Sequence, residues 1–268
     1  MRHSYFLSAL VIIVSPTLLW AQAPQSGQPA APANAPRPAL EISDDLTGWT
    51  PMFDGVSLNG WDGPMPLWHV EDGAIVVRSV EEPPTGSVYL IWQGGQPADF
   101  EMKLDVKLGG EGANSGVQFR AMLLGEVPDR PMTRWESHGY QADMTNSGAS
   151  SGNLLNCCRG PGRGPARRDD ATAARGQVAR TDGEKQLIAT LEDADTLRGY
   201  WRPNDWNQIH IIAQGRTLMY ILNGHLASVL IDNHPELFRD SGYIAIQLEG
   251  RGANEAMFKN LWFKELTQ

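Results

Sequence analysis

The chain has 268 residues, a formal net charge of −9 and 41% hydrophobic residues. The negative balance argues against nucleic acid or an anionic membrane as the main partner, because both select basic surfaces. The two cysteines are adjacent, which excludes a disulfide scaffold. We therefore expect a domain built on a hydrophobic core, with a neutral ligand.

The first 23 residues have the pattern of an export signal. Arg2 and His3 precede an apolar run from Tyr5 to Trp20, and Ala21-Gln22-Ala23 supplies a signal peptidase site. An uncleaved anchor is the alternative, but the run has about 16 residues and a spanning helix needs ~20. We predict cleavage after Ala23, a periplasmic or secreted bacterial protein, and no stable membrane span after cleavage.

Residues 24–45 form a predicted linker, and residues 46–268 a single folded domain. The linker is dominated by Pro, Ala, Gln, Gly and Asn, a composition that buries little and stays extended or disordered. The domain contains short alternating apolar runs bounded by Gly, Pro, Asn and Asp, and little helical periodicity. This pattern predicts an all-β sandwich.

The predicted elements begin with Trp61 and Trp68, which we expect to pin the N-terminal segment against the core. Two hairpin turns are predicted, at Glu71-Asp72-Gly73 and at Asn223-Gly224. The predicted strands are residues 68–70, 74–77, 89–92, 100–107, 117–120, 140–143, 206–212, 218–222, 226–231, 244–249 and 256–266. In strand 100–107, Glu101 and Asp105 face outward, either as solvated residues or as part of the polar face described next.

Three strands carry two hydrogen-bonding side chains each, on the face opposite their apolar side chains. Val117 and Phe119 point one way and Gln118 and Arg120 the other, because side chains alternate along a strand. If the three strands share a sheet, one surface carries Gln118, Arg120, Gln141, Asp143, Gln247 and Glu249. Such a surface is equipped to hold a polyhydroxylated ligand. The alternative is an ordinary solvated face.

Residues 146–185 do not have a strand pattern, because Gly, Ser, Ala and Arg dominate them. A loop of this length is usually functional or disordered. It follows the strand that bears Gln141 and Asp143, so a lid over the polar face and a solvated insertion both remain open. Cys157 and Cys158 are either free thiols or a strained bridge, and we favour a structural or incidental role.

Common catalytic motifs are absent from the sequence: a phosphate loop, a dinucleotide fingerprint, a Gly-x-Ser-x-Gly elbow and a His-Glu-x-x-His helix. The spacing of the six histidines matches no metal signature. The Glu-x-Asp-x-x-Glu strand of β-sandwich glucanases is also missing, which disfavours retaining hydrolysis by two carboxylates.

An ordered series of short motifs nevertheless resembles one family. The motifs are Phe53-Asp54-Gly55, Leu58-Asn59-Gly60-Trp61, Asp99-Phe100-Glu101, Asn114-Ser115-Gly116-Val117-Gln118-Phe119-Arg120, Gly139-Tyr140-Gln141 with Asp143, Asp205-Trp206-Asn207, Asn223-Gly224, Gly242-Tyr243-Ile244-Ala245-Ile246-Gln247 and Phe258-Lys259-Asn260-Leu261. From about Thr50 to Leu266 the chain resembles the exported bacterial 3-keto-disaccharide hydrolase family. The resemblance implies a concanavalin A-like jelly-roll β-sandwich of two antiparallel sheets, and hydrolase or lyase and hydratase activity on 3-keto-glucosides.

Two departures from the family pattern bear on the site. The family commonly has Gln-x-His-Gly where this chain has Gln247-Leu248-Glu249-Gly250, so no histidine role carries over to position 249. Residues 154–158 replace the family's tyrosine-and-acid segment. Activity is therefore less well supported than fold.

The expected chemistry follows from the acidity that a C3 ketone gives to the proton on C2. One carboxylate removes that proton, the C1 oxygen leaves, and hydration completes the reaction. We predict that either Asp143 or Glu249 is the base, that the other carboxyl group is the proton donor, and that Arg120 stabilises the enolate. The predicted substrate-binding residues are Asn114, Ser115, Gln118, Gln141 and Gln247. No cofactor is certain; a divalent cation held by the carboxylates and amide oxygens can replace Arg120. The alternative function is a non-catalytic glycan-binding module on the same sandwich.

Overall fold

The structure is a computed structural model that describes residues 45–79, 87–126, 134–157, 172–249 and 253–267. The predicted export signal, the linker up to residue 44 and Cys158 lie outside these ranges. Within them, no helix has the length and apolarity that a bilayer span requires.

The described residues contain seventeen strands, one short α-helix and a 3-10 turn at Met65–Leu67. The elements are β1 Thr50–Pro51, β2 Trp61–Asp62, β3 Trp68–Glu71, β4 Ala74–Ser79, β5 Val88–Trp92, β6 Phe100–Gly109, β7 Asn114–Leu123, β8 Ser137–Thr145, β9 Asn153–Cys157, β10 Thr172–Ala173, β11 Gln177–Thr181, β12 Lys185–Thr190, α1 Ala194–Arg198, β13 Trp206–Gln214, β14 Thr217–Leu222, β15 His225–Asp232, β16 Tyr243–Glu249 and β17 Asn254–Glu265.

These strands form two sheets that pack face to face. The ten-stranded sheet has the order β12-β11-β15-β14-β13-β6-β17-β4-β3, with β1 added to β17, and the seven-stranded sheet has the order β10-β9-β8-β7-β16-β5-β2. Residues of both sheets share one hydrophobic core, in which the rings of Phe100 and Phe119 meet edge to face at 6.0 Å. The predicted all-β sandwich is confirmed. One pair departs from the antiparallel pattern, since β11 and β15 run parallel.

Strand β6 shows why the alternating pattern predicts burial well. Its burial alternates along all ten residues, with Phe100 and every second residue after it inside. The outward residues belong to the ten-stranded sheet: Glu101 pairs with His210 at 2.8 Å, and Asp105 accepts a hydrogen bond from Asn260 at 2.6 Å. The hypothesis that Glu101 and Asp105 extend the polar face is therefore wrong, because β6 lies in the other sheet.

The N-terminal segment is attached as predicted. The indole Nε1 of buried Trp61 donates to the carbonyl oxygen of Met52 at 2.8 Å, and buried Trp68 packs against Phe258. At the predicted turn between β3 and β4, Asp72 and Gly73 both have positive φ, as a two-residue type I′ hairpin requires.

The prediction that residues 146–185 lack strands is wrong for the described part. This stretch contains β9, β10 and β11 and the start of β12. The buried residues there include alanines, such as Ala173 and Ala179, that give no strong hydrophobic alternation. β9 and β10 extend the seven-stranded sheet beside β8, whereas β12 is an exposed edge strand. Neither a lid nor a loose insertion describes these strands.

Candidate functional site

Strand register brings most of the predicted site residues to one surface of the seven-stranded sheet. Gln118 on β7 lies opposite Gln141 on β8, and Asn114 on β7 lies opposite Glu249 on β16. Residues directly opposite each other in a sheet share a face. That face points away from the core, which is lined by the alternate residues of the same strands. We call this set the amide face: Tyr89, Asn114, Gln118, Gln141, Asp143, Gln247 and Glu249.

Gly116 occupies the centre of the amide face. It lies opposite Asp143 on one side and Gln247 on the other. A Cβ atom at this position would lie 2.6 Å from Nε2 of Gln141, because the Gln141 side chain crosses the space above the glycine. Because Gly116 has no side chain, polar side chains of the neighbouring strands can extend over it.

The side chains of the amide face form two short hydrogen-bonded chains. In the first, Gln118 Nε2 donates to Gln141 Oε1 at 3.1 Å and to the Tyr89 hydroxyl at 3.3 Å, and Gln141 Nε2 donates to Asp143 Oδ1 at 3.2 Å.

In the second chain, Gln247 Nε2 donates to Glu249 Oε2 at 3.0 Å and to the Ser87 hydroxyl at 2.9 Å. Each of these two hydrogen-bonded series ends at a carboxylate, that of Asp143 or that of Glu249. The amide nitrogens of Gln118, Gln141 and Gln247 therefore each have an acceptor.

Asp143 is a buried carboxyl with a raised pKa. Burial is the main cause that raises its pKa, to about 6, and the charge of Glu249 adds to the increase. Hydrogen bonds from Gln141 and from the backbone N–H of Met144 act in the opposite direction, as does the Ser150 hydroxyl, which lies nearby outside full hydrogen-bond geometry. A carboxyl whose pKa is raised by burial and by a second carboxylate is typical of catalytic pairs.

The amide face is not an ordinary solvated face. Gln118 is 0% exposed, Gln141 2%, Gln247 1% and Asp143 9%. Glu249 and Asn114 are half-buried, so solvent approaches from their side. Three buried amide oxygens, Oε1 of Gln118, Oε1 of Gln247 and Oδ1 of Asn114, have no hydrogen-bond partner. Buried polar groups are normally paired with protein, water or a ligand, so these oxygens can accept hydrogen bonds from such a partner.

The prediction that Arg120 joins the two carboxylates is wrong. Arg120 has a φ of +45°, and the pairing of β7 with β8 shifts register between Phe119 and Met122. This β-bulge interrupts the alternation and turns the side chain off the amide face. Its guanidinium is fully buried and binds Asp99 at 3.0 Å together with three carbonyl oxygens, those of Ala98, Gly215 and Arg239. Arg120 therefore ties β7 to the end of the ten-stranded sheet.

Ser115 is also misplaced in the predicted site. It is fully buried, and its hydroxyl donates to the backbone oxygen of Gln247 at 2.6 Å. It shares the inward phase of Val117, because strand β7 already begins at Asn114 rather than after a turn. Ser115 holds β7 against β16 and does not face a ligand on the amide face.

Three neighbours of the site are absent from the predicted set: Tyr89, Ser87 and Ser150. Tyr89 lies opposite Gln247, so its position depends on the pairing of β5 with β16, two strands far apart in the chain. A polar tyrosine in a predicted strand is a weak signal, and the register is not readable from the sequence.

The donor set of the amide face contains two carboxylates. Among the described residues, no three His, Cys, Asp or Glu side chains cluster as a metal site would require. Oxygen atoms of Asp143, Glu249 and the amides are ligands that hard cations accept. The predicted divalent cation remains a prediction.

The fold and the amide face together define a β-sandwich whose outer surface presents polar groups suited to a carbohydrate. The chain belongs to the family of the 3-keto-alpha-glucoside-1,2-lyase-like domain, whose model matches residues 48–264. The resemblance stated from the motifs is thereby confirmed. No curated protein matches the chain.

Two solved structures illustrate its structural neighbours. A predicted glycosyl hydrolase from Parabacteroides distasonis is 19% identical, with a TM-score of 0.49; 83% of this chain and 95% of that chain are covered. A carbohydrate-binding module from Bacillus subtilis is 13% identical, with a TM-score of 0.40; 81% of this chain and 96% of that chain are covered. At these values neither similarity carries an argument about activity.

Proposed function

We propose that the chain cleaves 3-keto-glucosides by elimination followed by hydration, with Asp143 and Glu249 as its acid and base. The observation that carries this proposal is a buried carboxyl, Asp143, whose pKa burial raises to about 6, on the same polar face as a second, more exposed carboxylate, Glu249. Family membership supplies the substrate class.

The two carboxyl groups take different roles because their surroundings differ. Glu249, the more exposed, accepts the proton from C2, and the C2–H electrons form the enolate of the C3 ketone. The enolate then expels the C1 oxygen, which receives a proton from Asp143. Water adds to the resulting C1–C2 double bond and completes net hydrolysis. Arg120 takes no part, since its guanidinium is bound to Asp99 and backbone carbonyls.

The closing test uses the purified mature chain and a 3-keto-glucoside carrying deuterium at C2. We expect release of the aglycone and loss of the label to solvent, because elimination breaks the C2–D bond. The corresponding glucoside without the ketone is the control and should remain intact. A product that keeps all of its deuterium would exclude elimination, and an unreacted 3-keto substrate would overturn the proposed function.

This assignment of roles predicts the pH dependence of turnover. Asp143 acts as an acid only while protonated, so kcat/KM should fall as pH rises through about 6, the pKa that burial gives it. The Glu249→Asp variant keeps the second carboxylate, so its kcat/KM should fall over the same pH range. A rate that instead increases through the same range would reverse the roles of the two carboxyl groups.

The alternative of a non-catalytic glycan-binding module predicts an open aromatic platform. Trp49 and Trp206 lie on the outer surface of the ten-stranded sheet, but lysines cover both rings, with Lys103 Nζ 4.4 Å from the Trp49 centroid and Lys259 Nζ 4.1 Å from that of Trp206. The paired carboxyl groups of the amide face favour catalysis over this alternative.

A further inference from the structure

The carboxyl groups determine which way each amide of the amide face is turned. Asp143 Oδ1 accepts from the backbone N–H of Met144 at 3.0 Å, so it is an acceptor, and Gln141 must direct its nitrogen to the same atom. The Gln141 oxygen then faces Gln118, which must present its own nitrogen. Oε1 of Gln118, the last atom of this hydrogen-bonded series, is therefore left without a partner.

The second chain gives the same result. An ionised glutamate only accepts hydrogen bonds, so Gln247 directs its nitrogen to Glu249. Gln247 Oε1 remains without a partner, as do Gln118 Oε1 and Asn114 Oδ1. With the nitrogens of Gln118 and Gln247 already engaged, the unpaired groups that these two glutamines offer to a ligand are acceptors.

Gln118 and Gln247 lie close enough together to contact one sugar. Gln118 is opposite Ala245, two residues from Gln247, so the two side chains are diagonal neighbours on adjacent strands, about 7–8 Å apart. A sugar ring with several hydroxyl groups matches two acceptors at this spacing, since each hydroxyl donates one hydrogen bond.

We propose that Gln118 Oε1 and Gln247 Oε1 bind the ligand as acceptors, so that the part of the sugar against these two oxygens presents hydroxyl donors. A C3 carbonyl cannot lie against these two oxygens, because it would bring a further acceptor against them. The ketone therefore points away from Gln118 and Gln247. This inference rests on the proposed function for the identity of the ligand as a 3-keto-glucoside and adds the orientation in which that ligand binds.

The test measures the binding of unreactive ligands, so it does not depend on turnover. Methyl glucoside is titrated against the mature chain by calorimetry, followed by the analogues in which fluorine replaces the hydroxyl at C2, C4 or C6. Fluorine keeps an acceptor and removes the donor. At least one analogue should bind about tenfold to a hundredfold more weakly, the effect of leaving one buried acceptor unpaired.

The variant Gln118→Met removes one of the two oxygens and keeps the length of the side chain. Methyl glucoside should bind this variant as weakly as one of the fluoro analogues binds the unchanged chain. The affinity of that analogue should be the same for both proteins. Gln208→Met, on the outer surface of the ten-stranded sheet, is the matched control and should change nothing. If Gln118→Met does not fold, Gln247→Met provides the same comparison.

Equal affinity for the parent and all three fluoro analogues would overturn the inference, and so would failure of the parent to bind. Saturable binding of Ca²⁺ or Mn²⁺ that Gln118→Met abolishes would also overturn it, since the acceptors would then serve a cation. A chain that shows the fluorine penalty but no turnover of 3-keto-glucosides would refute the proposed reaction while leaving the acceptor role of Gln118 and Gln247 intact.

Discussion

The two outer surfaces of this sandwich satisfy their polar groups in opposite ways. On the ten-stranded sheet, Glu101 pairs with His210, and lysines cover the rings of Trp49 and Trp206. On the seven-stranded sheet, the amide face leaves oxygens of neutral amides buried and unpaired and places two carboxyl groups within electrostatic reach of each other. The groups named on the first surface have partners, whereas three amide oxygens of the second do not. These unpaired amide oxygens, rather than polarity alone, distinguish the amide face.

The largest expected effect concerns Arg120, which the alternation pattern assigns to the amide face and the structure places between the sheets. Arg120→Met should lower the free energy of unfolding by about 3–5 kcal/mol, because it leaves a largely buried Asp99 and three carbonyl oxygens without their donor. Urea unfolding followed by circular dichroism measures this loss. Gln208→Met lies on the outer surface of the ten-stranded sheet and should change the free energy of unfolding by no more than about 0.5 kcal/mol.

A loss below about 1 kcal/mol for Arg120→Met would mean that the guanidinium is not a buried link between the sheets. The proposed separation of Arg120 from the amide face would then be wrong.

Asp143 and Glu249 should dominate turnover rather than folding. Asp143→Asn and Glu249→Gln are each expected to lower kcat/KM by roughly 10²-fold or more, the range for loss of a general acid or base. Glu101→Gln is the matched control, since Glu101 is also an outward strand carboxylate with one side-chain partner. Steady-state kinetics should show at most about a twofold effect for the control.

Full activity of the double variant Asp143→Asn/Glu249→Gln would show that the catalytic site is not on the amide face. A comparable loss in Glu101→Gln would remove the distinction between the two surfaces.

The sequence predicts the strands with strong alternation well, and these carry most of the site. Gln118, Gln141, Asp143, Gln247 and Glu249 reach one face because alternation and common sheet membership suffice to place them. The prediction fails where that regularity ends.

Arg120 lies in a β-bulge, and nothing in its sequence neighbours marks the extra residue that reverses the side chain. Ser115 was within reach of the alternation rule, since it shares the phase of Val117, but the polar start of the stretch indicates a turn instead. Strands β9 to β12 depend on sheet neighbours contributed by distant strands, such as the parallel partner β15, and short polar or alanine-rich strands carry too little hydrophobic contrast to reveal them.

The raised pKa of Asp143 predicts that ionisation of this residue on the amide face lowers the stability of the folded chain. Its pKa is about 6 in the folded state against 3.8 ordinarily, so the folded chain holds the proton more tightly between these values. Stability therefore falls as pH rises from about 4 to about 6, by no more than about 3 kcal/mol at roughly 1.4 kcal/mol per pH unit. Asp143→Asn should remove this slope and raise Tm at pH 7.5 while changing it little at pH 4.

The measurement is a series of thermal melts of both proteins between pH 4 and pH 8, with Glu101→Gln melted alongside. Parallel Tm curves for wild type and Asp143→Asn would contradict burial of a destabilised carboxylate at this position.

The smallest expected effect lies on the opposite surface and decides whether that surface binds sugar at all. Lys259 Nζ lies 4.1 Å from the ring centroid of Trp206, and both side chains are half-buried. Lys259→Met keeps the aliphatic chain over the indole and removes the charge, so it should cost about 0.5–1 kcal/mol of stability, the usual size of an exposed cation–π contact.

Affinity for methyl glucoside should not change in Lys259→Met, because the ring remains covered and the ligand rests on the other sheet. A gain or loss of more than about tenfold, equivalent to 1.4 kcal/mol, would show that the Trp206 surface contacts the sugar. The ten-stranded sheet would then be the binding surface, and the unpaired oxygens of the amide face would need a different occupant.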